Sequence, residues 1–441
     1  MQFLVERPQF DAAIGVARFG YRLDDMHFVE TLAFPRTQAF EHVDSPAFSQ
    51  LLNLTALVLG VSYFKLKAPL NIVAPDLPLN DGQRAFIIDI YENGLGEFYA
   101  RNNLRRFGRL VLDAPPADAP VTDVPSLPNR ALLPIGGGKD SLVSVELLQA
   151  AGIDFTPFAV NPKGPILTSV AKIGAPPIYV TRTLDAEMMR LAGQPGYFNG
   201  HVPSTAINSM IAALSALLFG FNQIVLSNER SASEGNVEFD GRQANHQHSK
   251  SLGFERLIAE VLADATAGAL QYFSLLRPYS EARIAALFVR QTRYDKVFSS
   301  CNRNFRLSGH DGPLWCGECP KCHFVFLIFA PVMDKQRLIE IFGRNLLNDP
   351  DHEASFRELT GLAGQKPWEC VGEILEAAAC LFALTTTPDW EHDVIVATLR
   401  VDLKAQYGAA TLTAARQALL DDADDHHIPA AVVARVAPHA L

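Results

Sequence analysis

The sequence predicts an α/β protein: a parallel sheet covered by helices over residues 131–323, preceded by an α+β unit over 1–113 and followed by a mostly helical region over 324–441. Three observations carry this. After residue 131 the apolar runs ALLPI, FTPFAV, PIYVT and QIVLS alternate with helical stretches, the order that builds a parallel sheet. Residues 114–130 hold Pro115, Pro116, Pro120, Pro125 and Pro128 and little that builds a core, so they read as a linker or extended surface crossing. Beyond residue 324 the apolar spacing is helical.

In the N-terminal unit, HFVETLAF (27–34) alternates as a strand does, and AAIGVARFGYRL before it reads as another. Ser45-Pro46 resembles an N-cap with proline at the first helical position, opening AFSQLLNLTALVLGVSYFKL. A second helical pattern, GQRAFIIDIYENGLGEFYARNNL, follows Asn80-Asp81. The longest apolar stretch, residues 210–226, is interrupted by Ser215, Asn222 and Gln223 and divided by Gly220. It reads as a buried helix followed by a buried strand, not a membrane span. FVFLIFAPVM (324–333) is too short to cross a bilayer. DWEHDVIVATLRVDLKAQYG is helical, and LLDDADDHH reads as a solvated end in which His426 and His427 do not ligate a metal. The N-terminus, with Glu6 and Asp11 and no long apolar core, is not a secretory signal; the expectation is a cytoplasmic protein without a membrane partner.

The formal net charge of −10 argues against a dedicated nucleic-acid binder, which carries a strongly basic face. Of six cysteines, Cys301, Cys316, Cys319 and Cys322 cluster. Without a signal peptide, that clustering points to a metal and not to disulfides.

The stretch PIGGGKDS (134–141) lies between a strand and a helix. A Walker loop needs Ser or Thr after the lysine, but Asp140 follows Lys139. A dinucleotide loop counted from Gly136 needs glycine at position 141, where Ser141 stands. What remains is the S-G-G-x-D-S loop of the ATP pyrophosphatases, which Gly136, Gly137, Gly138, Lys139, Asp140 and Ser141 resemble at all but the first position. Glycines admit a phosphate close to backbone amides, and the following helix offers free N–H groups and a positive dipole end. Lys139 adds charge, and Asp140 suits Mg²⁺ held against the β- and γ-phosphates of ATP.

Cys316, Cys319 and Cys322 stand in C-x-x-C-x-x-C spacing, with Cys301 fifteen residues upstream. Tight pairs chelate one tetrahedral ion and a distant ligand closes the site. Gly317 allows the turn between them. Zinc fits; an iron–sulfur cluster is the alternative, although the C-x3-C-P continuation is absent. Four protein thiolates leave no open position, so the role is structural. The order of glycine loop, nucleotide-site helix and cysteine knot resembles the cyano-deazaguanine synthases.

A closer resemblance rests on PIGGGKDS, LSNERSASEGN (226–236), NHQHSKS (245–251), FSSCNRNF (298–305), WCGECPKC (315–322) and KPWECVGE (366–373). Together these strings are similar to the UDP-N-acetylmuramoyl-L-alanyl-L-glutamate epimerases, bacterial peptidoglycan-precursor enzymes. The resemblance implies a PP-loop, HUP-like catalytic domain with a zinc knot. It also implies that ATP is cleaved to AMP and diphosphate while the terminal L-glutamate of UDP-MurNAc-L-Ala-L-Glu is inverted. Adenylating the carboxylate removes its charge and makes the neighbouring Cα–H more acidic, so a base can take the proton and a donor return it from the other face.

The candidates for these roles follow from residue type and place. Asn228 and Arg230 join the glycine loop as nucleotide contacts, because they follow a sheet strand. His246 and His248 are candidate proton shuttles, with Glu229 and Cys370 as further catalytic candidates. Glu234, Lys250, Arg101 and Lys65 are candidate contacts to the anionic substrate. Against each stands a plainer reading: lining or surface residues for the histidines, solvated loop for Glu229 and Glu234, and a small buried hydrophobe for Cys370, as for Cys380. The rival functions are another PP-loop ATP pyrophosphatase, amide-forming, nitrile-forming or tRNA-modifying, and a non-catalytic nucleotide binder motivated by Gly136 in place of serine.

Overall fold

The computed structural model describes residues 1–117, 120–305 and 311–440. Strands β1 (Gln2–Val5), β2 (Gln9–Asp11), β3 (Val16–Leu23) and β4 (Met26–Ala33) open the chain. Their alternation is physical: Ala17, Phe19, Tyr21 and Leu23 of β3 are buried while Arg18 and Arg22 face water. Then come β5 (Asn71–Val73), β6 (Val111–Asp113), β7 (Ala131–Pro134), β8 (Phe155–Val160), β9 (Ile178–Thr183), β10 (Gln223–Leu226), the hairpin β11 (Val237–Phe239) and β12 (Arg242–Ala244), and β13 (Gln271–Ser274).

Eleven strands form one sheet in the order β13-β10-β7-β8-β9-β4-β3-β1-β5-β6, with β2 on β3. The five from β13 to β9 are parallel. The N-terminal strands continue that sheet through the antiparallel β4–β9 pair, where Leu32 faces Arg182. At this junction Arg182 donates to buried Glu30 at 2.5 Å and to Ser62 at 2.9 Å, so the charge that the joint buries is neutralised.

Both faces are covered. Leu132 and Ile224, partners across β7 and β10, enter one core; Leu133 and Val225, one residue on, enter the other. The first core packs the helix Ser204–Phe219 against Pro46–Leu59. The second gathers helices Lys139–Ala150, Glu281–Phe288, Pro320–Phe329, Ile374–Leu384 and Val394–Tyr407. The expected caps form: Ser45 Oγ accepts from Phe48 N at 3.1 Å, and Asn80 with Gln83 makes a capping box. The pattern after Asn80 becomes two helices, Asp81–Glu92 and Gly96–Asn102; at Gly94 between them a Cβ would lie 2.5 Å from Ile90 O and 3.2 Å from Pro203, so the turn is closed to a side chain. The run Pro46–Phe64 is long and apolar enough to cross a bilayer, but 83% of its most apolar window is buried in this core. Asp118 and Ala119 of the expected linker lie outside the described residues; Pro116 of that segment bridges to Leu79.

Candidate active site

The chain leaves β7 for β8 and β9 on one side and later returns to β10 and β13 on the other, so the crossovers diverge between β7 and β10. Open α/β sheets bind ligands at such a divergence, beyond the carboxyl ends of the strands. A cavity of about 470 Å³ lies there. Gly136, Gly138, Asp140 and Ser141 line it from the loop after β7, and Ser227 and Asn228 from the end of β10. Lys250, Lys321 and Cys370 line it as well.

The loop's glycines are not equivalent. Gly137 holds φ +79°, and a Cβ there would lie 2.8 Å from Pro165 C and 2.9 Å from Ile166 N. A Cβ on Gly136 would meet nothing within 4 Å, so no contact requires glycine where the ATP pyrophosphatase loop has serine. Gly138 caps the helix Lys139–Ala150, whose first N–H groups point to the cavity end. Asn228 Nδ2 is buried with no hydrogen-bond partner among the described residues, a donor open to a ligand.

Beneath the loop lies a buried charge network. The Lys139 ammonium sits between the carboxylates of Asp140 and Glu281 and is absent from the cavity lining, so it acts on a ligand through Asp140. Burial opposes ionisation of Asp140, but the charge of Lys139 outweighs it and holds the carboxyl below its usual range. Glu281 starts the helix Glu281–Phe288, capped by Ser280, and also lies 3.9 Å from Lys321 Nζ. Glu281 lies in RPYSEARIAALF (277–288), which the sequence places where the ATP pyrophosphatases have a polar P-x-x-E/K helix start; Lys321, between two of the clustered cysteines, is not among the residues the sequence singles out.

At the cavity's far wall Cys370 stands beside two cations. Lys250 Nζ donates to its Sγ at 3.5 Å, and the charge of His246 lies close by. His246 Nδ1 is taken by Glu97, which also accepts from Arg101 at 2.6 Å. Burial raises the Cys370 thiol, but Lys250 and His246 outweigh that and bring it down to about 6. Burial likewise opposes charge on His246, yet Cys370 and Glu97 raise it to about 9. Glu97, His201 and His246 offer ligand atoms within 4.8 Å of one another. Arg101 also pairs with Glu97, and His201 Nδ1 is buried without a hydrogen-bond partner among the described residues.

The four clustered cysteines meet. Sγ separations are 4.0 Å for Cys301–Cys319, 3.7 Å for Cys316–Cys322 and 3.5 Å for Cys319–Cys322. Tetrahedral zinc with arms of about 2.3 Å sets thiolates about 3.8 Å apart, so the donors fit. Gly317 at φ +69° makes the turn. The knot abuts the loop: Ser299 N donates to Gly137 O at 2.9 Å, and a Cβ on Gly138 would lie 3.4 Å from Ser300.

The other expected residues fall further out. His248 Nε2 donates to Asp89 Oδ2 at 2.7 Å, whereas His246 bonds Glu97, so the two histidines have different partners. Glu229 is buried outside the cavity lining, its carbonyl accepting from Arg277 at 2.6 Å. Arg230 N donates to Tyr279 O, and Glu234 pairs with Lys366; neither lines the cavity. Lys65 donates to Asn199 Oδ1 and Gly200 O at 3.1 Å, and burial lowers it to about 8. Arg101 reaches the site only through Glu97, with its guanidinium 5.7 Å from the Trp368 ring. Cys380 is core. His427, expected in a frayed end, instead bonds Tyr272 O at 2.9 Å.

Residues 1–275 match the family model of the MurL N-terminal domain and residues 297–414 that of the MurL C-terminal domain. A Xanthomonas oryzae pv. oryzae protein named UDP-N-acetyl-alpha-D-muramoyl-L-alanyl-L-glutamate epimerase is 40% identical over 438 residues, 98% of this chain and 96% of the relative. A Micromonospora protein of the same name is 38% identical, covering 95% of this chain and 94% of its own.

Proposed function

The chain belongs to the MurL family of UDP-N-acetyl-alpha-D-muramoyl-L-alanyl-L-glutamate epimerases, and from that premise we propose that it inverts the terminal glutamate of UDP-MurNAc-L-Ala-L-Glu from L to D in peptidoglycan precursor synthesis, with ATP cleaved to AMP and diphosphate. One observation carries the ATP requirement: a phosphate-type loop and a cation-flanked thiol line the same cavity. A simple epimerase has no need of the first; a simple nucleotide binder has no need of the second.

In this reading the parallel strands form a PP-loop, HUP-like domain. Numbered by occurrence along the chain from β7, they run 3-2-1-4-5 across the sheet, with the loop after the first. Residues 131–323 serve catalysis, 1–113 substrate recognition, and 324–441 complete the second core. Both substrates are nucleotides, which assigns the reaction to the cytoplasm.

The glycine-loop amides and Ser141 receive the phosphates, and Asn228 Nδ2 supplies a buried donor. Asp140 would hold Mg²⁺, which when bound neutralises phosphate charge. The glutamate carboxylate attacks the α-phosphate and diphosphate leaves. The acyl-adenylate so formed lacks the negative charge that resists deprotonation next door. A base removes the Cα proton, a proton returns to the opposite face, and water releases AMP. The four cysteines would hold zinc as a structural ion beneath the loop.

The test is nucleotide cleavage by the full chain with UDP-MurNAc-L-Ala-L-Glu, ATP and Mg²⁺. Wild type forms AMP and diphosphate; Asp140→Ala, its fold checked by circular dichroism, forms neither. An active Asp140→Ala contradicts the role given to Asp140, and a wild type that makes ADP or no nucleotide product contradicts the ATP reading.

A further inference from the structure

We propose that Cys370 is the catalytic residue that removes the glutamyl Cα proton, and that Lys250 and the His246–Glu97 pair are its positioning residues. The inference rests on the epimerase reading above and names the base which that reading leaves open.

Geometry selects Cys370. Of the six cysteines, four form the metal knot and Cys380 is sealed in the core, whereas Cys370 lines the cavity with Gly138 and Asp140. Of the two histidines in NHQHSKS, His246 faces Cys370 and His248 faces Asp89. Glu229 does not reach the cavity. The segment carrying Cys370 is fixed on three sides: Lys321 Nζ donates to Cys370 O, Lys321 N donates to Glu369 Oε2 at 3.0 Å, and Gln247 Nε2 donates to Val371 O at 3.4 Å. Lys321 comes from the knot, between Cys319 and Cys322, so the structural cluster also braces the thiol.

The cations nearest the thiol favour its charged form, while the opposing charge of Asp140, in the same cavity, is paired with Lys139. Lys250 and Lys321 are cations on its cavity side, and His246 is held protonated by Glu97 behind it; Glu369 is turned to the Lys321 amide. Glu97 holds His246 through Nδ1, and the imidazolium lies close enough to the sulfur for its charge to favour the thiolate. This arrangement keeps a thiolate at neutral pH in a site that otherwise disfavours charge. It also suits a carbon acid already weakened by adenylation, because a base works best with a pKa near the working pH.

The step balances. The Cα–H bond breaks, an S–H bond forms, and the electron pair passes to the acyl oxygen of the adenylate. A proton from water enters the opposite face to give the D centre, and the thiol proton passes to the hydroxide left behind, which regenerates water and the thiolate. No redox partner is involved and no bond to sulfur other than S–H is made.

The experiment separates proton transfer from adenylation. In D₂O with UDP-MurNAc-L-Ala-L-Glu, ATP and Mg²⁺, Cys370→Ala is expected to slow Cα exchange by at least about 100-fold while AMP release from the L substrate continues. Iodoacetamide treatment of wild type, with the modified peptide identified by mass spectrometry, is expected to block exchange as Cys370 is alkylated. Glu97→Gln and Lys250→Met are expected to move the acidic limb of the exchange-rate profile to higher pH, and Lys250→Arg to leave it near the wild-type position. Cys370→Ala that exchanges at the wild-type rate overturns the proposal. So does a glutamyl adduct on Cys370 in the intact-mass spectrum, which would make sulfur a nucleophile and not a base. A wild type that releases AMP but leaves Cα–H in place overturns the parent reading instead, so the two failures are distinguishable.

Discussion

Gly137→Ala paired with Gly136→Ser tests the loop most sharply, because the two glycines lie side by side and carry opposite expectations. At 137 the left-handed backbone costs an L residue about 1–2 kcal/mol. The added methyl, 2.8 Å from Pro165 C and 2.9 Å from Ile166 N, meets backbone that cannot swing aside. Overpacking of this kind costs about 1–3 kcal/mol. The sum is a loss of roughly 2–5 kcal/mol, with the loop amides displaced from the cavity. At 136 the new side chain enters open space, and the expected change is within about 0.5 kcal/mol. Urea unfolding measures stability, and AMP release from ATP with UDP-MurNAc-L-Ala-L-Glu measures loop function. A Gly137→Ala protein as stable and active as wild type, or a Gly136→Ser protein as damaged as Gly137→Ala, refutes the reasoning.

Three further outcomes are expected. Lys139→Met leaves Asp140 and Glu281 facing each other in a buried site, which costs about 3–5 kcal/mol in urea unfolding and lowers AMP release. The purified protein carries one zinc per chain by elemental analysis, and its removal by a chelator, or Cys319→Ser, loosens the Lys321–Cys370 contact and lowers both AMP release and Cα exchange. The exchange rate is bell-shaped in pH: it rises through about 6 as Cys370 loses its proton and falls through about 9 as His246 loses its own. A profile flat from pH 5 to 10 contradicts that pairing.

The parts of the fold set by local chemistry were readable in advance. The Ser45 cap, the alternation in β3 and β4, the strand–loop–helix at PIGGGKDS and the helix–strand break at Gly220 each follow from a few adjacent residues. Two elements were not. β13, only QYFS, is too short to show a period, and the apolar spacing after Asn80 runs on across the break between the helices Asp81–Glu92 and Gly96–Asn102. In the site the same division holds. The four cysteines announce themselves by spacing, and the loop by its glycines. Lys321 becomes visible only when the fold brings it beside Glu281 and the cavity, and Glu97 only when the N-terminal unit reaches His246 across 149 positions. The depressed thiol of Cys370 arises from Lys250 and His246, both distant in sequence, so no local pattern marks it apart from a small buried residue. His246 and His248, two positions apart in the string NHQHSKS, have different partners, Glu97 and Asp89, with the short turn at 248–250 starting at the second.

The central claim is that one cavity activates a carboxylate with ATP and then exchanges the neighbouring proton. Incubating the wild-type protein with UDP-MurNAc-L-Ala-L-Glu, ATP and Mg²⁺ in D₂O, and analysing the glutamate for configuration and isotope, tests it most directly. The account predicts D-glutamate carrying deuterium at Cα, formed only when ATP is present and accompanied by AMP. Glutamate that stays L with its Cα proton retained and no AMP formed would contradict it.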